Sequence, residues 1–211
     1  RNGTCTNHSV KKDELLEKLE DADVAITRSS TDVNEKFINA AHKLKAVVRA
    51  GVGVDNVDID ACSKKGIIVM NVPTANTIAA VELTMAHIIN SVRNFPGANN
   101  QLKNEKIWKR EDWYGTELKG KTLGIIGFGN IGSRVASRAK AFEMEVIAYD
   151  PYVKDSVIID AGMVCAKHID DILKCDIITV STPKNSETKN MITKNEIEKM
   201  KDGVILIICA C

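Results

Sequence analysis

The 211-residue sequence lacks any apolar run approaching the roughly 20 residues needed to span a bilayer, so no membrane helix is expected. It also lacks a CxxC pair, although it has six cysteines: Cys5, Cys62, Cys165, Cys175, Cys209 and Cys211. Scattered cysteines in a chain of this size argue against both a disulfide framework and a zinc site. They read instead as small apolar residues of a reduced, cytoplasmic protein. No charge of one sign dominates. Lys and Arg number 29 and Asp and Glu 28, a formal net charge of +1. That balance offers no basic field to nucleic acid or an anionic membrane, so any anion site must be local. The opening Arg1–Val10 has no apolar core of the kind a secretory signal carries.

What is present is the composition of a globular protein, 44% hydrophobic and 27% charged. Short β-branched runs alternate with helical patterns. Strands are expected at 24–27, 46–49 and 67–71, with helices over 34–44 and 58–65 between them. Ahead of them, 11–19 has Leu15, Leu16 and Leu19 at helical spacing, with Ser9 as a candidate cap. From Thr77 to Val92 apolar residues recur at helical spacing and also off the main stripe, which predicts a helix buried on more than one side. Pro and Gly within 94–97 are expected to end it, and 101–119, with Trp108 and Trp113, reads as a helix followed by a connection with the tryptophans exposed. A second series follows: strand 122–126, a glycine loop, a helix to about 142, strand 145–149, strand 175–180, helix 196–200 and a buried strand 204–209. This β-α alternation predicts parallel sheets covered by helices. Two such series imply a domain over 1–72 and another over 73–211, with ligand expected in the cleft between them.

The motif with the most chemistry in it is Gly127-Phe128-Gly129-Asn130-Ile131-Gly132. A strand leads into it, a helix leads out, and Asp150 ends the next strand about 20 residues later, the spacing of a dinucleotide-binding turn. Gly127 permits the tight turn, Gly129 lets a pyrophosphate approach the backbone, and Gly132 lets helix and strand pack closely. The helix N-terminus presents free N–H groups to phosphate. Asp150 can accept hydrogen bonds from the adenosine ribose and would repel a 2′-phosphate, favouring NAD over NADP. The competing reading is a glycine-rich turn that binds no nucleotide. Thr182-Pro183, at the carboxyl end of a later strand, is either part of the same ligand edge or a simple strand terminator.

The blocks Arg49-Ala-Gly-Val-Gly-Val-Asp-Asn-Val-Asp58, Asn71-Val-Pro, Glu82-Leu-Thr, the glycine loop and Tyr149-Asp-Pro together resemble the D-2-hydroxyacid dehydrogenases. Arg28-Ser29-Ser30-Thr31 and Trp108-Lys109-Arg110, followed by Gly115-Thr-Glu-Leu118, resemble most the branch that oxidises D-3-phosphoglycerate, the first step of serine biosynthesis. The resemblance implies a Rossmann-type doubly wound parallel sheet for NAD and a flavodoxin-like α/β substrate domain, both incomplete at the chain ends. It implies hydride transfer between NAD and a D-2-hydroxy acid. Val52, Gly127, Gly129, Asn130, Ile131, Gly132, Asp150, Thr182, Cys209 and Ala210 would then contact the cofactor. Arg28, Ser29, Val52, Gly53, Asn76 and Arg110 would line the substrate site, the arginines suiting a phosphate and a carboxylate. Taken alone, Arg28 could equally be a solvated loop residue and Arg110 one member of a charged run. The resemblance also implies a homodimer formed through the region 77–118.

The family's catalytic Arg follows a strand like 204–209. By that match Cys211 stands in its place, and a thiol cannot bind a carboxylate as a guanidinium does. The family's catalytic Glu and His would lie further on. His8, His42, His87 and His168 are the histidines present; His42 and His87 fall in helical patterns and His168 precedes one. The expectation is therefore a truncated chain with no catalytic residue of its own. Two alternatives stay open: a catalytically inactive NAD-binding or interaction module, and a reductase of glyoxylate or hydroxypyruvate.

Overall fold

The computed structural model describes residues 14–209. Ser9, the start Arg1–Asn7, the first residues of the expected 11–19 helix, Ala210 and Cys211 lie outside the described residues. The chain divides into two compact units, one reaching Ala75 and the other starting at Asn76.

The first unit contains α1 (Leu15–Leu19), β1 (Val24–Thr27), α2 (Glu35–Ala40), β2 (Ala46–Arg49), α3 (Ile59–Lys64) and β3 (Ile68–Asn71). Its three strands are parallel in the order β1-β2-β3, with Ile26, Val48 and Met70 in register. The helices start where capping side chains satisfy free N–H groups: Asn34 accepts from the N–H of Phe37 at 3.1 Å and Asp58 from that of Ala61 at 2.9 Å. Helix α2 stops at Ala40, short of the expected residue 44. Ala41 leaves the helical region and, with Leu44, buries in the core as the chain turns into β2. His42 therefore sits in that turn, not in a helix. One face of the sheet packs Phe37, Ile38, Val47 and Cys62 into a core. On the other, Val24, Ile26, Ile68 and Met70 are 53%, 70%, 63% and 53% exposed.

The second unit opens with α4 (Thr77–Arg93) and α5 (Phe95–Asn100), a π-helical turn (Gln101–Glu105) and a 3-10 turn (Arg110–Trp113). It continues with β4 (Thr122–Ile126), α6 (Gly132–Ala141), β5 (Glu145–Tyr149), α7 (Asp155–Asp160), β6 (Val164–Cys165), α8 (Ile169–Ile172), β7 (Ile177–Val180), α9 (Lys194–Glu198) and β8 (Ile205–Ile208). The strands form one parallel sheet in the order β6-β5-β4-β7-β8. Period-2 alternation sends Leu123 and Ile125 to the face covered by α4 and α6, and Ile126 and Ile178 to the face covered by α8. Each of these fully buried side chains contributes about 1.5–3 kcal/mol. Helices on both faces make this a doubly wound Rossmann-like unit. No helix among the described residues is long and apolar enough to cross a membrane.

Several expectations need correction. Helix α4 buries a single stripe, Thr77, Val81, Thr84, Met85, Ile88 and Val92, while Ile78 and Leu83 stay 46% and 51% exposed. Asn94, left-handed at φ 49°, ends α4, but Pro96 then opens α5, because a fixed φ and a missing N–H suit a helix's first turn. The segment 101–119 holds only two irregular turns, and Trp113 is half-buried, its indole N–H donating to Gln101 Oε1 at 2.8 Å. Helix α9 starts two residues before the expected 196 because Thr193 and Glu196 form a capping box. Strand β8 is less buried than expected: only Ile207 is shielded, and Ile208 is 57% exposed. The segment 151–174 contains α7 and β6 besides the expected helix after His168, α8.

Candidate functional site

In the second sheet the chain runs outward from β4 to β5 and β6 on one side and to β7 and β8 on the other. The carboxyl ends of β4 and β7 thus flank a topological switch point, where open α/β sheets hold their ligands. Gly127 leaves β4 there at φ +95°, a conformation that L side chains rarely adopt. Its N–H donates to Tyr149 O at 2.8 Å, and a Cβ on it would lie 2.9 Å from the Ser181 carbonyl. The loops after β4, β5 and β7 are therefore packed against one another.

The other two glycines differ. A Cβ on Gly132 would come within 1.9 Å of Gly127 O, so glycine is what lets α6 start this close to β4. A Cβ on Gly129 would meet nothing within 4 Å: it faces open space. The first turn of α6 carries no acidic residue, and its last carries Arg138 and Lys140. The positive end of its dipole is thus uncompensated by side chains. Among the described residues, the backbone N–H groups of Gly129, Asn130 and Ile131 have no protein acceptor.

Asp150 closes the frame. Its Oδ2 accepts from the N–H of Phe128 at 2.8 Å, joining the end of β5 to the glycine loop. Its Oδ1 accepts from the N–H groups of Tyr152 and Val153 at 2.9 and 3.2 Å. A carboxylate offers about four lone-pair sites, so three such bonds fix its orientation and leave capacity for a ribose hydroxyl. A cavity of about 340 Å³ opens here, lined by Gly127, Gly129, Asp150 and Thr182 among others. That volume lies within the range of small-molecule sites. The donor set, the open face of Gly129 and the fixed carboxylate fit the adenosine and pyrophosphate of a dinucleotide.

The remaining expected cofactor residues take varied places. Asn130 turns its carbonyl to Arg134 at 2.8 Å, and Ile131 caps α6 and packs on the core. Cys209, just past β8, is half-buried with a free thiol; Ala210 lies outside the described residues. Among the described residues no cluster of metal-ligating side chains occurs.

In the first unit, Arg28 and Ser29 follow β1, and Val52 and Gly53 follow β2, so all four reach the carboxyl edge of that sheet. Two asparagines tie these loops. Asn56 Nδ2 donates to Arg28 O and Thr31 O at 3.1 and 2.6 Å, and Asn71 Nδ2 donates to Val52 O at 2.8 Å. The sequence reading missed Arg49 as a site residue, although it begins one of the blocks quoted for the resemblance. It ends β2, its guanidinium lies against Gly51, and its Nε is buried without a partner among the described residues. A buried guanidinium N–H lacking an acceptor is costly, and an anion would relieve it.

Asn76 and Arg110 belong to the second unit. Asn76 is the N-cap of α4, yet its side chain bonds no helix N–H. Arg110 opens the 3-10 turn beside a cavity of about 760 Å³ that also exposes Trp108. In that turn the ion pair is Lys109–Asp112, at 3.1 Å, and Arg110 makes none among the described residues.

Residues 85–210 match the family model of the D-isomer specific 2-hydroxyacid dehydrogenase, NAD binding domain. The chain is 46% identical, over 94% of its length, to D-3-phosphoglycerate dehydrogenase of Methanocaldococcus jannaschii, and 43% identical over 96% to that of Homo sapiens. It spans 38% of the length of either relative. Among solved structures it is similar to NAD-bound 3-phosphoglycerate dehydrogenase of Entamoeba histolytica: 35% identity, TM-score 0.77, 95% of this chain and 60% of that one. It is also similar to D-lactate dehydrogenase of Aquifex aeolicus in complex with NAD and lactic acid: 34% identity, TM-score 0.83, 92% of this chain and 58% of that one.

Proposed function

The chain belongs to the D-isomer specific 2-hydroxyacid dehydrogenases, its second unit being their NAD binding domain, and from that premise we propose that it forms part of an NAD-dependent oxidoreductase that converts D-3-phosphoglycerate to 3-phosphohydroxypyruvate. The observation that carries the cofactor half of this reading is the Asp150 carboxylate bonded to the N–H of Phe128 at 2.8 Å. It places one negative charge beside the glycine loop at the switch point of the sheet. The substrate half is supported by the names of the relatives at 43–46% identity and by Arg28, Arg49 and Arg110, none of which forms an ion pair among the described residues.

Bound NAD would supply the hydride acceptor for C2 of the hydroxy acid. The chain's own residues bind and orient. The N–H groups of Gly129 to Ile131 and the start of α6 hold the pyrophosphate, and Asp150 holds the ribose hydroxyls and disfavours a 2′-phosphate. Thr182 bounds the same cavity, and Val52 is assigned to the nicotinamide end. We assign Arg28, Arg49 and Arg110 to the anionic groups of the substrate, with Ser29, Gly53 and Asn76 as hydrogen-bonding neighbours. A substrate domain up to residue 72, joined to a cofactor domain from 73, is part of the same proposal. So are a cytoplasmic setting, supported by the four unpaired described cysteines, and a homodimer through the second unit. The dimer is supported by the exposure of Ile78, Leu83, Trp108 and Tyr114.

The test is the protein at its native length, assayed with phosphorylated and unphosphorylated hydroxy acids. Arg110→Ala removes a charge-assisted contact worth about 1.5–3 kcal/mol, so KM for D-3-phosphoglycerate is expected to rise about 10- to 150-fold. KM for an unphosphorylated hydroxy acid should change far less. Equal effects on both would refute the phosphate assignment and favour a glyoxylate or hydroxypyruvate reductase.

A further inference from the structure

The cavity at the switch point has a second acidic rim. Tyr152 lies two residues past Asp150 on the loop after β5, and its phenolic O–H donates to Glu187 on the loop after β7. The two residues are 35 positions apart in sequence and both line the cavity. Their bond spans it from one loop to the other.

Neither end is a free loop. Tyr152 is held by its N–H on Asp150 Oδ1 at 2.9 Å. Glu187 is held by Asn185, whose Oδ1 accepts the N–H groups of Glu187 and Thr188 at 2.9 Å each. Thr188 fastens the loop base, its Oγ1 donating to Pro183 O at 2.5 Å and accepting the N–H of Asn185 at 2.9 Å. The negative charges of Glu187 and Asp150 both push the Tyr152 phenol above its ordinary value, Glu187 more strongly through its hydrogen bond. Two carboxylates from opposite rims thus act on one hydroxyl.

We propose that Glu187, positioned by Tyr152, is a second cofactor-specificity residue, acting with Asp150 to exclude the 2′-phosphate of NADP. This rests on the reading that the cavity takes the adenosine half of NAD. The physical reason is charge. A 2′-phosphate brings nearly two negative charges between rims that already carry one each. At roughly 6 Å in water, one carboxylate disfavours such a group by about a factor of 10. Screening at about 0.15 M salt reduces this to about three-fold. Tyr152 holds the Glu187 carboxylate at the rim, where a solvated side chain would average its charge over a wider volume.

The experiment is titration of the protein at its native length with NAD and NADP by calorimetry, at low and high salt, for the unaltered protein, Glu187→Gln and Tyr152→Phe. Both positions are exposed, so thermal melts should be unchanged. Glu187→Gln is expected to lower the NADP-to-NAD ratio of dissociation constants about 3- to 10-fold, chiefly by tightening NADP, and the difference should shrink in high salt. Tyr152→Phe should produce a smaller change in the same direction. An unaltered ratio in Glu187→Gln, with NAD binding intact, would overturn the proposal and leave the cofactor assignment standing. Failure of the unaltered chain to bind NAD would overturn both.

Discussion

Alanine at Gly129 and alanine at Gly132 should separate binding from folding within one loop. At Gly129 the added Cβ meets nothing within 4 Å, and the backbone is not in the left-handed region. Gly129→Ala should therefore fold as well as the native chain, or gain about 0.4–1 kcal/mol from reduced freedom of the unfolded state. Its methyl group stands in the open space assigned above to the approach of the pyrophosphate, so on that assignment NAD binding should fall below detection. At Gly132 the Cβ would lie 1.9 Å from Gly127 O, 3.1 Å from its carbonyl carbon and 3.2 Å from Ile125 Cγ2. Backbone cannot yield as a side-chain tip does, so α6 must shift off β4. Overpacking of this kind costs about 1–3 kcal/mol, or about 2–12 °C in Tm at about 2–4 °C per kcal/mol. Thermal melts followed by circular dichroism, paired with NAD titrations, read both quantities. Native-like NAD affinity in Gly129→Ala would refute the assignment of that open face to pyrophosphate. A Gly129→Ala melt as low as that of Gly132→Ala would refute the packing argument.

Two further predictions concern stability and solubility. Asp176 Oδ2 accepts from Thr122 N and Oγ1, each at 2.8 Å, and its Oδ1 accepts from Lys201 at 2.8 Å. The Lys201 hydrogen bond, followed by those from Thr122, lowers its pKa to about 2. An acid whose folded-state pKa is depressed stabilises the fold above its unfolded value and loses that contribution as pH falls through the folded one. The native chain should therefore lose Tm more steeply than Asp176→Asn between about pH 4 and pH 2; parallel curves would show that the network contributes nothing. On the bare face of the first sheet, Ile26→Thr with Met70→Thr should reduce light scattering on concentration while shifting stability by no more than about 0.5 kcal/mol per site. A large loss of Tm would mean that this face is packed.

The legible part of the fold was the part carried by long-period patterns. Strands β1, β2, β4 and β5 formed over the expected residues because short runs rich in Val and Ile, set between helical patterns, pair as neighbouring parallel strands. The glycine loop and Asp150 were legible because each glycine position answers a separate steric demand, and the structure meets all three differently. Short elements were not. Strand β6 has two residues and α7 six, too few for a period to show. The start of α9 does have a sequence signal, the capping box of Thr193 and Glu196. Pro96, expected as a stop, is a start because it lies just past a left-handed Asn94. Arg49 and Glu187 escaped notice for a different reason. One looks like the end of a strand and the other like a loop acid, and only a guanidinium N–H without an acceptor and a phenol bonded across a cavity single them out.

NAD-dependent oxidation of D-3-phosphoglycerate is tested on the protein purified from its source cells at native length, with its intact mass recorded. D-3-phosphoglycerate and NAD together should produce NADH, followed by its near-ultraviolet absorbance, and NADP should substitute poorly. A native protein that binds NAD but forms no NADH from D-3-phosphoglycerate or any other D-2-hydroxy acid would contradict it, and would make the chain an NAD-binding module without dehydrogenase activity.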